Sequence, residues 1–178
     1  MLELTFTRIH DVFLSFRGED TRASFTSHLY DSLQNAGIKV FRDDDSLQRG
    51  AVISTSINQA IQRSQIAVIV FSRNYADSRW CLDELAKIME SHRTIGQVVL
   101  PVFYDVDPSE VRHQTGEFGK AFESLLNRLP KKKGIYNRFL NCLSLYKEES
   151  PKQVLRSSWK ATLREAAGLA GFVVLNSR

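Results

Sequence analysis

Trp80 and Glu84 stand four residues apart in the segment SRWCLDEL, Ser78 to Leu85. Residues at that spacing share one face of a helix, with Cβ atoms about 5–6 Å apart. A carboxylate partly stripped of water by an indole can titrate near neutral pH and act as an acid or a base. It can equally face the cationic ring of a ligand held on the indole. The same spacing also fits a core tryptophan beside a solvated glutamate that favours the dipole of a helix start. Spacing leaves all three open. Other chemistries are not signalled. There is no GxGxxG after the first expected strand, no GxxxxGK[ST] and no GxSxG. Neither a dinucleotide turn, a P-loop nor a nucleophile elbow is therefore indicated. The four histidines show no metal spacing, and His28 and His113 read as surface or interface residues rather than catalytic bases. Asp43, Asp44 and Asp45 are consecutive, without the alternate-residue ligand spacing of a hard-cation loop, and read as solvated.

Positioning such a pair requires a scaffold, and the hydrophobic periodicity supplies one. Residues 10–16, 38–41, 65–71, 97–104 and 172–175 are short apolar runs of strand formers. The run QIAVIVF is apolar almost throughout, as expected of a strand covered on both faces. Pro101 predicts that the fourth strand is an edge, or bulged, over part of its length. Between the runs the period changes to that of a helix. Phe25, Leu29 and Leu33 mark the first helix, with Asp20 or Thr21 as its cap and Gly37 at its end. Ile53, Ile57, Ala60 and Ile61 mark the second. Leu82, Leu85, Ile88 and Met89 form the stripe of the third, and Glu84 falls off its centre, at an expected rim. Phe118, Phe122, Leu125, Leu126 and Leu129 mark the fourth. Trp159, Leu163, Ala166, Ala167 and Ala170 mark the last, ended by Gly171. In residues 130–153 neither period prevails. Asp105 to Ser109 reads as a turn.

Alternating strands and helices predict a parallel sheet with helices on both faces. Ligands bind such sheets outside the carboxyl ends of the strands, at a switch in strand order. The loops there are residues 17–20, 42–50, 72–79 and 105–109. The third leads directly into Trp80 and Glu84, which promotes that pair.

The chain of 178 residues is long enough for one domain with a full core. No apolar run approaches the ~20 residues of a membrane helix. The N-terminal residues do not form a secretory signal, since they lack a cationic start and a small-residue cleavage site. Two cysteines, Cys81 and Cys142, make no disulfide framework. A reducing, intracellular setting is expected, without a membrane partner. The net charge of +4 conceals an asymmetry. Residues 128–178 hold eleven Lys and Arg against three acids, and the first 127 residues carry a net −4. That basic third can meet nucleic acid, acidic protein or lipid head groups, or it is a solvated surface. It lacks the interleaved aromatics that stack bases.

Five strings carry a family resemblance: HDVFLSFRGEDTR (10–22), FTSHLYDSL (25–33), GIKVFRDDDSLQRG (37–50), FSRNYADSRWCLDEL (71–85) and LPVFYDVDPSEVRHQTGEFGKAF (100–122). Together they resemble a Toll/interleukin-receptor (TIR) domain of the plant disease-resistance type. The resemblance implies a flavodoxin-like fold of five parallel strands over a core of residues 10–176. It implies a cytoplasmic domain, with the nucleus as a second compartment, at the N-terminus of a receptor with nucleotide-binding and leucine-rich-repeat domains. It implies cleavage of NAD+, as substrate and not cofactor, on self-association with other TIR domains. Glu84 matches the family's catalytic glutamate, Trp80 its neighbouring aromatic and Ser78 the same cleft-lining segment. Phe16, Arg17 and Gly18 match the substrate-facing loop after the first strand. Asp43 opens the loop after the second strand, closed by Gly50. Ser27 and His28 match a self-association pair. Arg17 is the expected partner of the diphosphate, with Arg22 as a weaker candidate. The chain departs from the family in the lysine-rich residues 130–153. It also lacks the helix that usually follows the fifth strand, so a fragment of a larger receptor is expected.

Overall fold

The computed structural model describes residues 8–42, 55–129 and 151–175. Five parallel strands form one sheet in the order β2-β1-β3-β4-β5. They are β1 (His10–Phe16), β2 (Val40–Arg42), β3 (Ser64–Phe71), β4 (Val98–Tyr104) and β5 (Phe172–Val174). The expected flavodoxin-like parallel sheet is therefore present. β3, the most apolar run, lies at its centre, where both faces are covered.

Alternation along β1 sends successive side chains to opposite faces. Phe13 joins Ile69 and Phe71 of β3 and Phe103 of β4 in the larger core cluster. That face is covered by α3 (Thr55–Gln62), α4 (Arg79–Ile95), α6 (Gly116–Arg128) and α7 (Pro151–Ala166). The expected stripe of α4 is the buried one: Leu82, Leu85, Ile88 and Met89 are at most 1% exposed. Val12, Leu14 and Phe16 face the other way, with Val68 and Val70. Phe25, Leu29 and Leu33 pack there, on and before α2 (Ser27–Asn35).

Pro101 sits inside β4, opposite Ile69. β5 pairs with β4 only from Val102 onward, so the missing proline N–H lies where that side of β4 has no ladder. The chain enters β5 at Gly171, where a methyl group would stand 2.3 Å from the Pro101 carbonyl oxygen. Only glycine permits that approach.

Two local expectations change. The first helix is not capped by Asp20 or Thr21. Helical structure starts at α1 (Gly18–Thr21) and is kinked within Arg22–Thr26, where Ser24 has non-helical φ −136° and ψ −108°, before α2 begins. Asp20 is inside α1, and its carboxylate is taken by a distant loop instead. Asp105–Ser109 is not only a turn. Asp107 caps a short helix, α5 (Pro108–His113), by accepting from the Ser109 N–H at 2.6 Å. Gly37 has the positive φ, +80°, expected at the end of α2. Asp43, Gly50, Ile53, Lys131 to Lys133 and Cys142 lie outside the described residues.

Candidate active site

β1 leads to β2 on one side of the sheet, while β3 and β4 lie on the other. The switch in strand order therefore falls between β1 and β3. Their register ends at Phe16 opposite Val70. Beyond it stand the Phe16–Arg17–Gly18 turn on one side and the loop into α4 on the other. The structure thus brings Phe16, Arg17, Gly18, Ser78, Trp80 and Glu84 onto elements at one edge. Ser27 and His28 are elsewhere, on α2 against the opposite face of the sheet, with His28 exposed.

Ser78 starts α4. Its hydroxyl oxygen accepts from the Cys81 N–H at 3.3 Å, an N-cap that fixes the first turn of the helix. Trp80 and Glu84 follow on that helix. Their environments reverse the structural alternative offered by their spacing. Glu84 is the buried residue, at 3% exposed, whereas Trp80 is partly exposed and packs on the edge of the core. The rim expected for Glu84 is thus a covered position. A buried carboxylate is costly unless it has polar company.

Part of that company is Tyr75, fully buried on the 3₁₀ turn Tyr75–Asp77. Its phenol donates to the Cys81 carbonyl at 3.2 Å and shares a 3.0 Å hydrogen bond with Ser15 Oγ. With the phenol proton committed to Cys81, Ser15 is the donor. Burial raises the Tyr75 pKa well above its usual value, and the charges of Cys81 and Glu84 add to the rise. The Cys81 thiol, itself buried, donates to the Phe16 carbonyl at 3.6 Å. Ser15, Phe16, Tyr75 and Cys81 thereby tie the end of β1 to the first turn of α4.

Two cations stand at this turn. Arg17 is largely covered, with a side chain 17% exposed, and its Nη2 meets Glu19 Oε2 at 2.6 Å. Arg22 reaches back to the turn. A methyl group on Gly18 would lie 2.7 Å from Arg22 Nη2, and the guanidinium carbon is 5.7 Å from the centre of the Phe16 ring. Gly18 therefore makes room for the Arg22 guanidinium beside the turn.

α7 braces α4 from behind. The Trp159 indole donates to Asp83 Oδ1 at 3.1 Å, and Arg93 meets Glu165 at 2.6 Å. In the basic third, Arg128 pairs with Asp77 and Arg156 with Glu123. Among the described residues no cluster of His, Cys, Asp and Glu could hold a metal, and no helix is long and apolar enough to cross a membrane.

A five-stranded parallel sheet with helices on both faces and a buried carboxylate at its switch point defines a flavodoxin-like α/β domain. A family model described as TIR domain matches residues 9–138. The chain belongs to the TIR domain family. Disease resistance protein RPV1 of Vitis rotundifolia is 47% identical over 172 residues, 97% of this chain and 11% of the relative. TMV resistance protein N of Nicotiana glutinosa is 60% identical over 114 residues, 64% of this chain and 10% of the relative. The chain spans about a tenth of the length of these curated relatives. Among solved structures, the TIR domains of the activated Roq1 resistosome, which directly recognises the pathogen effector XopQ, match with a TM-score of 0.70. That match is 43% identical and covers 93% of this chain and 87% of the other. The resemblance to plant disease-resistance TIR domains therefore holds.

Proposed function

We propose that this domain cleaves NAD+ at the nicotinamide–ribose bond and that self-association switches the reaction on. The observation that carries this reading is the buried Glu84 carboxylate, one helical turn from the partly exposed Trp80, at the switch point of the sheet. A domain that served only as a scaffold gains nothing from covering a carboxylate there.

The chemistry asks for one carboxylate. The C1′–N bond breaks with its electron pair going to the pyridine nitrogen, so the cationic ring leaves as neutral nicotinamide without a general acid. The ribose passes through an oxocarbenium-like state. Glu84 stabilises that positive charge and holds the ribose hydroxyls. Trp80 stacks on the pyridinium. Arg17 exchanges the exposed Glu19 for the diphosphate, with Arg22 beside it. Phe16, Gly18 and Ser78 line the substrate, and the family resemblance assigns Asp43 to substrate binding as well. Water then bonds to C1′ and its proton passes to solvent, giving ADP-ribose. Attack by a nucleophile within the substrate gives a cyclised product instead. NAD+ is the substrate, and no cofactor is required.

In this reading the domain forms part of a cytoplasmic receptor with nucleotide-binding and leucine-rich-repeat domains, and its products promote immune cell death. Ser27 and His28 on α2 contribute to contact with other TIR domains, on the face of the sheet opposite the cleft. A second reading, a scaffold that assembles without turnover, draws on the exposure of His28 and on the similarity to the Roq1 TIR domains.

Incubation of the domain with NAD+ at high protein concentration, with chromatography of products, separates the two. Nicotinamide released in step with NAD+ loss supports the enzyme. Intact NAD+ in the presence of oligomers demonstrated by sedimentation establishes the scaffold.

A further inference from the structure

We propose that Asp20 is a positioning residue that sets the separation of the two walls of the cleft. The inference rests on the reading of this edge as an NAD+-cleaving site, and deepens it. The β1–β3 ladder ends at Phe16 opposite Val70, so main-chain pairing no longer holds the two chains together past that point. Asp20 spans the gap. Its Oδ2 accepts from the Ser72 hydroxyl at 2.6 Å and from the Asn74 backbone N–H at 2.9 Å. Its Oδ1 accepts from the Asn74 side-chain amide at 3.1 Å. Three donors thus converge on one carboxylate, and hydrogen bonds to an ionised acceptor are the strong ones.

Both ends of this link are rigid and both lead to the site. On one side, the Asp20 and Thr21 backbone N–H groups donate to the Arg17 carbonyl at 3.1 and 3.3 Å. The Thr21 hydroxyl donates to the same carbonyl at 3.4 Å. Asp20 is therefore locked to the Phe16–Gly18 turn. On the other side, Tyr75 N–H donates to the Ser72 carbonyl at 3.1 Å, and Asp77 N–H to the Asn74 carbonyl at 2.9 Å. Ser78 N–H donates to the Tyr75 carbonyl at 3.3 Å, which closes the turn into the cap of α4. A short, continuous series of hydrogen bonds thus runs from Arg17 through Asp20 to the helix that carries Trp80 and Glu84. Asp20 does not touch the substrate in this account. It acts through the walls that do.

The pattern of donors predicts which substitutions are tolerated. In Asp20→Asn an amide oxygen in the Oδ2 position still accepts from the Ser72 hydroxyl and the Asn74 N–H, and the Asn74 side-chain amide flips to accept from the new NH2 in the Oδ1 position. Asp20→Ala leaves all three donors without the carboxylate.

The experiment compares wild type with Asp20→Ala, Asp20→Asn, Ser72→Ala and the double variant Asp20→Ala/Ser72→Ala. Three measurements are made: NAD+ turnover, thermal unfolding, and amide hydrogen exchange of peptides covering residues 16–22 and 72–78. Asp20→Ala is expected to lose about tenfold or more in kcat, with a smaller change in KM, while the unfolding transition stays cooperative. Its exchange rises in both peptides and not in α6 or β4. Asp20→Asn recovers most of the rate, and the double variant is no slower than Asp20→Ala because both remove one link. Wild-type turnover and protection in Asp20→Ala overturn the proposal. A general rise in exchange, or equal loss in Asp20→Asn and Asp20→Ala, also overturns it by reducing Asp20 to a fold or charge effect. If Asp20→Ala does not fold, Ser72→Ala decides by the same criteria with a smaller loss. If wild type does not turn over NAD+, the reading of the site fails, and the exchange pattern alone still decides whether Asp20 joins the two walls.

Discussion

The Trp159 indole N–H donates to Asp83 Oδ1 at 3.1 Å, which fastens α7 to α4 at the residue preceding Glu84. Asp83 also meets Arg79 Nε at 3.3 Å. Burial nevertheless raises its pKa, outweighing the lowering by Arg79 and by the Trp159 N–H. A carboxyl with a raised native pKa binds its proton more tightly folded than unfolded. Its contribution to stability is present below the unfolded pKa and is lost as pH rises through the folded value. Asp83→Asn keeps an oxygen for Trp159 and cannot ionise. Its Tm is expected to gain on wild type as pH rises from about 4, then to hold a constant lead. A lead that shrinks over that window contradicts the assignment.

Tyr75 gives a second test. Tyr75→Phe removes the hydroxyl that joins Ser15 and Cys81 and leaves Ser15 Oγ buried without that partner. A loss of about 1–3 kcal/mol in denaturant unfolding is expected. The raised phenol pKa also predicts a pH effect of definite sign. Stability linked to Tyr75 is full below its ordinary pKa of about 10 and falls as pH rises beyond it, and Tyr75→Phe lacks that component. An unchanged unfolding midpoint at neutral pH contradicts the network.

Two glycines should respond differently to the same change. At Gly18 the nearest obstacle to a methyl group is the tip of Arg22, a flexible side chain that can move. Gly18→Ala is expected to leave Tm nearly unchanged while raising KM for NAD+. At Gly171 the obstacle is the Pro101 carbonyl oxygen, held in β4. Gly171→Ala is expected to cost about 1–3 kcal/mol, as overpacking does. Thermal melts of the two variants side by side check the contrast, and equal losses contradict it.

The parts of this molecule legible in its sequence are those that repeat with a period. QIAVIVF is the central strand, and Leu82, Leu85, Ile88 and Met89 are the buried stripe of α4. Pro101 marked a strand with a part-open side. The family strings then drew attention to the edge where Trp80 and Glu84 sit. What stayed hidden has no period. Asp20 offered a plausible local cap, and nothing in RGEDTR shows that its partners are Ser72 and Asn74, more than fifty residues on. Glu84 falls off the apolar stripe, so its 3% exposure depends on tertiary packing around α4 that the stripe does not encode. Arg17 and Arg22 have the same chemistry in the sequence, and only the folded turn shows which one lies on Gly18.

The central claim is that the Glu84 carboxylate breaks the nicotinamide–ribose bond. Nicotinamide release from NAD+ by wild type and Glu84→Gln, at equal and high protein concentration, tests it most directly. The amide fills the same space without the charge, and a cooperative thermal melt checks that the variant folds. The account predicts that Glu84→Gln folds and loses about 100-fold or more in rate. A folded Glu84→Gln that releases nicotinamide at the wild-type rate contradicts it.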